Sequence, residues 1–278
     1  MSAVPLVTEL HGPRVNYLPA RRAVASTTLP GRLSELLRIL GVPAADAMLA
    51  HDVPVTIWRA NEGAALWHQG APSQTVGVVR SGCFKRSRLG PDGYEQVLSF
   101  AGPGELLGFS GLADGHQAFS IAALESSTVF MLPWRELESL RQREPVFDRA
   151  FMRAASEAVR LASEVADLMS AVSAEVRLAR FLVKESERAA RRGLSPRRLV
   201  LRMGRRDLAS LLGLAHETTS RCFGVLAKAG LVTVHNREVD ILDAARLRAY
   251  AQYTRAMGDD DDTMAALGAA CHPERRVA

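Results

Sequence analysis

Three side chains in the stretch Arg205 to Gly230, RRDLASLLGLAHETTSRCFGVLAKAG, have the types and spacing to act on another molecule. Glu217, Ser220 and Arg221 fall at i, i+3 and i+4, so a helix carries all three on one face. An arginine can give two parallel hydrogen bonds to guanine O6 and N7. A glutamate can accept from a cytosine N4 amino group, and a serine is small enough to sit against a thymine methyl. His216, Thr218 and Lys228 on the same segment, Arg205 and Arg206 just before it, and Arg237 beyond it are further candidates for DNA contact. A Glu and an Arg four residues apart also make an exposed salt bridge of little consequence on any helix. The E-x-x-S-R pattern therefore acquires meaning only from the elements around it.

Those elements read as a helix-turn-helix. Leu208, Leu211 and Leu212 form one apolar face, and Gly213-Leu214-Ala215 is the turn, with glycine where a chain leaving a helix favours positive φ. A second helix starting near His216 buries Thr219, Phe223, Leu226 and Ala227 and leaves Glu217, Ser220, Arg221, Gly224 and Lys228 outward. Such a helix lies in the major groove with its first turns on base edges. Leu199-Val-Leu-Arg-Met reads as a strand before the pair. Leu231-Val-Thr-Val and Val239-Asp-Ile-Leu read as a hairpin around His235-Asn236-Arg237, a wing whose Arg237 can touch phosphate. Eight arginines between Arg188 and Arg206 (188, 191, 192, 197, 198, 202, 205 and 206) are placed for phosphate contacts or for a solvated basic face.

On HETTSR, RSGCFK, GPDGYEQVLSF, PGELLGF, ALESSTVFMLPW and GLSPRRLVLRMGRRDLASLLGL, from about Leu66 to about Ile241, the chain resembles the Crp/Fnr family of bacterial transcription regulators, and its E-x-x-S-R is that of the Fnr branch. The resemblance implies an α+β fold: an N-terminal cyclic-nucleotide-binding-like β-roll, a long dimerisation helix and a C-terminal winged helix-turn-helix. It also implies a homodimer on an inverted repeat of TTGA-like half-sites, with Glu217, Ser220 and Arg221 reading bases and RNA polymerase as an expected partner. Crp-like members carry a further base-reading arginine where this chain has His216, and Fnr-like members usually an apolar residue, so the outer base of the half-site stays open.

With 278 residues the chain is long enough for two domains, and 47% apolar residues suit a globular protein. A formal charge of +5 favours polyanionic partners. Three cysteines, Cys83, Cys222 and Cys271, show neither a disulfide framework nor metal spacing, which suits a reducing compartment. No run of about 18 apolar residues and no charged-then-apolar leader is visible. The expectation is a cytoplasmic protein. No Ser/His/Asp or Cys/His grouping with motif context, P-loop or metal spacing supports an enzyme.

The expected domains are a tail over 1–30, a sensor roll over 31–143, a dimerisation helix over 144–172, the DNA-binding domain over 173–253 and a second tail over 254–278. Apolar residues at 33, 36, 37 and 40 predict a helix ending at Gly41, and Ala44 to His51 predicts another. From Val53 to about Pro133, VTIW, ALWHQ, TVGVVRS, CFKRSRL, EQVLSF and TVFMLP read as strands with glycine punctuation, a barrel or roll. Glu144-Pro145 opens a long helix to about Met169. Along it Phe151, Ala155, Val159, Ala162, Ala166 and Met169 follow a heptad-like spacing, either a dimer seam or the face of a helix packed on its own roll. A further helix runs from Ala174 to about Arg192 and breaks at Gly193-Leu-Ser-Pro.

By resemblance, Pro103-Gly104-Glu105-Leu106-Leu107-Gly108 carries the glutamate and glycines of a phosphate cassette. The arginine followed by Ser or Thr that family members place about ten residues on is missing, which argues against cAMP or cGMP. No cysteine lies in residues 1–50, and Phe130 stands where the Fnr branch has its β-roll cluster ligand, which argues against an iron–sulfur cluster. No cofactor or metal site is expected. His51, His68 and His116 are candidate haem ligands or simple loop histidines. Cys222, next to Arg221, is a candidate redox-sensitive thiol or a small buried apolar residue.

Overall fold

The computed structural model describes residues 27–48 and 53–253. In chain order the elements are β1 (Thr28–Arg32), α1 (Leu33–Ile39), α2 (Ala44–Met48), β2 (Pro54–Ala60), β3 (Ala65–Trp67), β4 (Thr75–Ser81), β5 (Phe84–Leu89), β6 (Glu95–Ala101), β7 (Leu106–Leu107), β8 (Ser120–Ala123) and β9 (Ser127–Pro133). Then follow α3 (Trp134–Arg143), α4 (Pro145–Met169), α5 (Ala174–Arg191), β10 (Arg198–Val200), α6 (Arg205–Leu212), α7 (His216–Lys228), β11 (Val232–His235), β12 (Glu238–Ile241) and α8 (Ala244–Gln252).

Two antiparallel sheets form the roll, one ordered β1-β2-β9-β4-β7 and the other β3-β8-β5-β6. Alternation sets their inner faces. Val79, Phe84, Leu107, Ile121, Val129 and Met131 form a core between them. A second core lies where α1, α3 and the first half of α4 cover the five-stranded sheet, with Leu33, Leu36, Leu37, Phe130, Phe147 and Phe151 fully or almost fully buried. Phe151 meets Phe109 edge-on at 5.9 Å between centroids. Each such side chain contributes about 1.5–3 kcal/mol by leaving water.

Residues 28–30 are not part of a tail. They begin β1, an edge strand paired antiparallel with β2 from Thr28↔Trp58 to Arg32↔Pro54. Pro30 is tolerated because an edge strand needs no donor on its open side. His51 and Cys271 lie outside the described residues.

In the second domain α5, α6 and α7 enclose Leu178, Leu182, Leu208, Leu212, Phe223 and Leu226. β10, β12 and β11 form a three-stranded sheet beside them. The same core continues into the roll through Cys83, Val97 and Phe100 and takes Leu168 from the end of α4. Polar bonds tie this junction. Ser210 Oγ accepts from Val97 N at 2.8 Å and donates to Glu95 O at 3.1 Å, and Lys85 Nζ reaches Glu95 at 3.0 Å and Asp207 at 3.2 Å. Burial works against the charge of Lys85, but the two carboxylates outweigh it and hold its pKa above the ordinary value.

Candidate nucleic-acid interface and the roll cavity

α6 ends at Gly213, whose φ of +63° is the left-handed conformation that glycine adopts without a Cβ penalty. Ala215 caps α7 without a side-chain bond. Thr219, Cys222, Phe223 and Leu226, at i, i+3, i+4 and i+7, are its buried stripe. Ala227, expected in that stripe, is exposed, because eight residues at 100° per step carry it well off the axis of burial.

His216, Glu217, Ser220, Arg221 and Lys228 are exposed and Thr218 is half-buried. Ser220 Oγ bonds back to His216 O at 3.2 Å, and Arg221 Nη2 donates to Thr218 Oγ1 at 3.3 Å. Glu217 and Arg221 form no ion pair among the described residues, so the surface salt bridge that their spacing allows does not occupy either group. An uncommitted carboxylate and a guanidinium held by one weak bond stand together on the open face.

The basic cluster divides. Arg205 is turned inward with its guanidinium 3.8 Å from the centroid of the Phe223 ring and Nη2 on Asn236 O at 3.0 Å. It ties the wing to α7. Arg202 pairs with Glu125 of the roll and Arg198 with Glu238, both at 2.9 Å. Arg192 packs over Gly102. Arg188 faces the roll. Arg197 and Arg206 remain exposed with no ion pair among the described residues. Arg237 is exposed on the wing turn, where Asn236 takes a φ of +54°, and its Nη1 reaches Arg202 O at 3.4 Å.

The six positions of the expected seam do not form one surface. Phe151, 2% exposed, and Ala155, 7% exposed, belong to the roll's own core. Val159 is 67% exposed, Met169 37%, and Ala162 and Ala166 are exposed. The helix changes partners halfway because α3 and the five-stranded sheet cover only its first turns. Arg160 pairs with Glu157 and Glu164 beside the open stripe.

Between α4 and the roll lies a cavity of about 550 Å³, walled by Phe100, Phe109, Phe119, Ile121 and the small residues of α4. Glu105 borders it, and burial pushes its carboxyl pKa up while Arg188 and Arg86 pull against that shift. Arg86 enters from β5 and donates to Ser99 Oγ at 3.0 Å and Leu106 O at 2.5 Å. Arg188 enters from α5 with Nη1 on Glu185 at 3.0 Å. Glu105 Oε2 and Arg188 Nε are buried without a hydrogen-bond partner among the described residues. The segment that follows the cassette in sequence points to no cation here. The two arginines come from strands and helices distant in sequence, and no local pattern marks them.

Between Gly108 and Ile121 the chain brings Phe109, Ser110 and Phe119 to the cavity, and the arginines there, Arg86 and Arg188, come from β5 and α5 instead. Three cysteines in the whole chain fall short of the four thiolates of a cluster, and Cys83 and Cys222 are both buried. His68 and His116 are exposed and do not border the cavity; His116 bonds to Asp114 within its own loop. Cys222 is 1% exposed, and burial, then the nearby Glu175, push its thiol up to about 11 against the weaker pull of Arg221. A reactive thiol needs an electropositive, accessible setting, so this is the setting of a structural one.

A roll, a long helix and a winged helix-turn-helix with an open face on its second helix define a two-domain DNA-binding transcription regulator. Residues 58–144 match the family model for the cyclic nucleotide-binding domain, and residues 176–250 match that for the Crp-like helix-turn-helix domain. The transcriptional activator protein Anr of Pseudomonas aeruginosa is 33% identical over 238 residues, covering 86% of this chain and 96% of that protein. The fumarate and nitrate reduction regulatory protein of Escherichia coli is 34% identical over 194 residues, covering 70% and 78%. The chain belongs to the Crp/Fnr family of transcription regulators. Its fold is that of FixK2 from Bradyrhizobium japonicum (TM-score 0.62, 23% identity, 72% of this chain and 98% of that one) and of a CooA mutant from Carboxydothermus hydrogenoformans (0.61, 20%, 80% and 96%). Its relatives are regulators, and it is a DNA-binding regulator rather than an enzyme.

Proposed function

We propose that the protein acts as a cytoplasmic homodimer on an inverted repeat with TTGA-like half-sites, reading bases through Glu217, Ser220 and Arg221 and needing neither a cyclic nucleotide nor an iron–sulfur cluster. The observation that carries this reading is the open face of α7, where Glu217 and Arg221 make no ion pair with each other. His216, Thr218 and Lys228 flank the reading residues, and Arg206 and Arg237 are the exposed candidates for phosphate. The stripe of Val159, Ala162, Ala166 and Met169 supports a seam shorter than its sequence period, and RNA polymerase is the expected partner on DNA. No helix among the described residues is long and apolar enough to cross a membrane.

The test is fluorescence anisotropy in air, without added ligand and at one salt concentration, on a TTGA-N6-TCAA duplex and on one with both GA steps scrambled. Tight binding to the first, weakened by several kcal/mol on the second, is expected. Equal binding to both would refute an effector-independent reader of this site.

A second reading, a regulator switched by a small molecule, draws on the cavity, where Glu105 Oε2 and Arg188 Nε lack partners. It predicts DNA affinity that rises or falls with a ligand. Switching by haem or by oxidation of Cys222 has less support, given the exposed His68 and His116 and the buried thiol.

A further inference from the structure

α4 stops at Met169, and α5 starts at Ala174. The short connection, in which Val172 is exposed, is held by two arginines on α5. Arg180 is buried and donates to Asp167 O at 2.6 Å, Ser170 Oγ at 2.9 Å, Ala251 O at 2.9 Å and Tyr253 O at 3.2 Å, which binds the end of α4 to the end of α8. Arg177 makes the other tie. Its Nε donates to Ala171 O at 2.8 Å and its Nη1 to Leu212 O at 3.0 Å, the last carbonyl of α6. Such terminal carbonyls carry the helix's partial negative charge and favour a cation.

Against this bridge sits the turn of the helix pair. A Cβ on Gly213 would come within 2.9 Å of Met169 Cε and 3.6 Å of Arg177 Nη1, so the last residue of the exposed α4 stripe rests on the turn itself. α7 begins at His216, three residues further on. Whatever fixes Gly213 against Met169 therefore fixes where the reading helix stands relative to the dimer axis.

We infer that Arg177, with Met169 as its packing partner, is a specificity-determining residue: it sets the half-site spacing that a dimer accepts. The inference rests on the homodimer reading above. Two readers must span half-sites about one helical turn, roughly 34–36 Å, apart. One base pair is about 3.4 Å, so a reader free to shift by about half of that on each side would accept a neighbouring spacing. A short, fully bonded connection denies that freedom on the α4 side, as the Ser210 and Asp207 bonds to the roll do on the other. Arg177 is suited to the role because it lies at the edge of the reader, outside the apolar cluster of Leu178, Leu182, Leu212 and Phe223 that folds it. Losing its two hydrogen bonds loosens the joint without emptying the core.

The experiment measures affinities of the full-length protein, at one salt concentration, for inverted repeats with spacers from about four to about eight base pairs, and for a duplex with a single half-site. The wild type should show one optimum, about tenfold or more above its neighbours. Arg177→Met should flatten the profile to within about threefold while its affinity for the single half-site stays within about twofold. Arg177→Lys, able to reach one carbonyl but not fork between two, should fall between them. Met169→Ala should relax the profile in the same direction. A profile in Arg177→Met as sharp as the wild type's overturns the inference, and so does an equal loss on single and paired half-sites, which would mark a merely structural role. A wild type with no optimum at any spacing overturns the homodimer reading itself, which separates the two failures.

Discussion

On α7, Glu217, Ser220 and Arg221 stand in solvent with the core behind them; in the roll, Glu105, Ser99 and Arg86 stand around a cavity with the protein closed behind them. The residue types are the same. Water satisfies the first set at no structural cost, so those side chains need no protein partner and can exchange water for a base edge. The second set has to be satisfied by the fold, and it is so only in part: Arg86 holds Ser99 and Leu106, while Glu105 Oε2 is left over. A buried polar atom without a partner costs about 1–3 kcal/mol. The contrast separates polar groups that water satisfies on the surface from polar groups that the fold satisfies only in part.

Breaking the support behind the open face should have the largest effect. Phe223→Ala removes a ring that is buried in the core and lies under the Arg205 guanidinium, and should cost about 3–5 kcal/mol, read by urea unfolding. Arg221→Ala should leave stability unchanged but cost about 1–3 kcal/mol of discrimination at each half-site, read by competition between matched and scrambled duplexes. Arg206→Ala should instead weaken both duplexes alike and reduce the salt slope by about one.

The buried side of the contrast is sharpened by cysteine chemistry. Burial holds Cys83 at about 12 and Cys222 at about 11, so both stay thiols well above neutral pH. In a Cys271→Ser protein at about pH 8, alkylation should be at least about tenfold slower folded than in urea, where an ordinary thiol pKa returns. Rapid folded-state labelling of Cys222 would restore the oxidation reading.

The smallest effect is expected at the junction between the two regions. Burial pushes Glu95 up, but hydrogen bonds from Ser87 and Lys85 outweigh it and hold its carboxyl below the usual range. A depressed carboxylate contributes stability that is present above its unfolded pKa and lost as pH falls through the folded one. Glu95→Gln should therefore flatten thermal stability between about pH 5 and pH 3, by less than about 1 kcal/mol because the side chain is half exposed.

The reader was legible because its chemistry follows one period along one helix. Leu208, Leu211, Leu212, Gly213 and E-x-x-S-R are a continuous local code, and the turn and, Ala227 apart, the buried face sit where that code puts them. The roll's long strands were legible from alternation and glycine. β8, four residues long, and the ten-residue α3 after Pro133 carried no comparable signal. The cavity was not legible, since Arg86, Glu105 and Arg188 are brought together from β5, the loop before β7 and α5. The seam shows a third case. Its spacing was readable, but a period cannot tell which stretch of a helix faces its own domain, and Phe151 and Ala155 went to the roll.

The apolar core that runs from Cys83, Val97 and Phe100 of the roll through Leu168 into the reader has a consequence for how the protein can be taken apart. Regulators of two domains invite the view of interchangeable modules on a string. Here the roll supplies part of the reader's interior, so a cut after α4 would leave an apolar wound on both fragments. Heat should then remove both domains in one event. Changes to the roll near β6 would be inherited by the DNA-binding half as changes in its own foldedness.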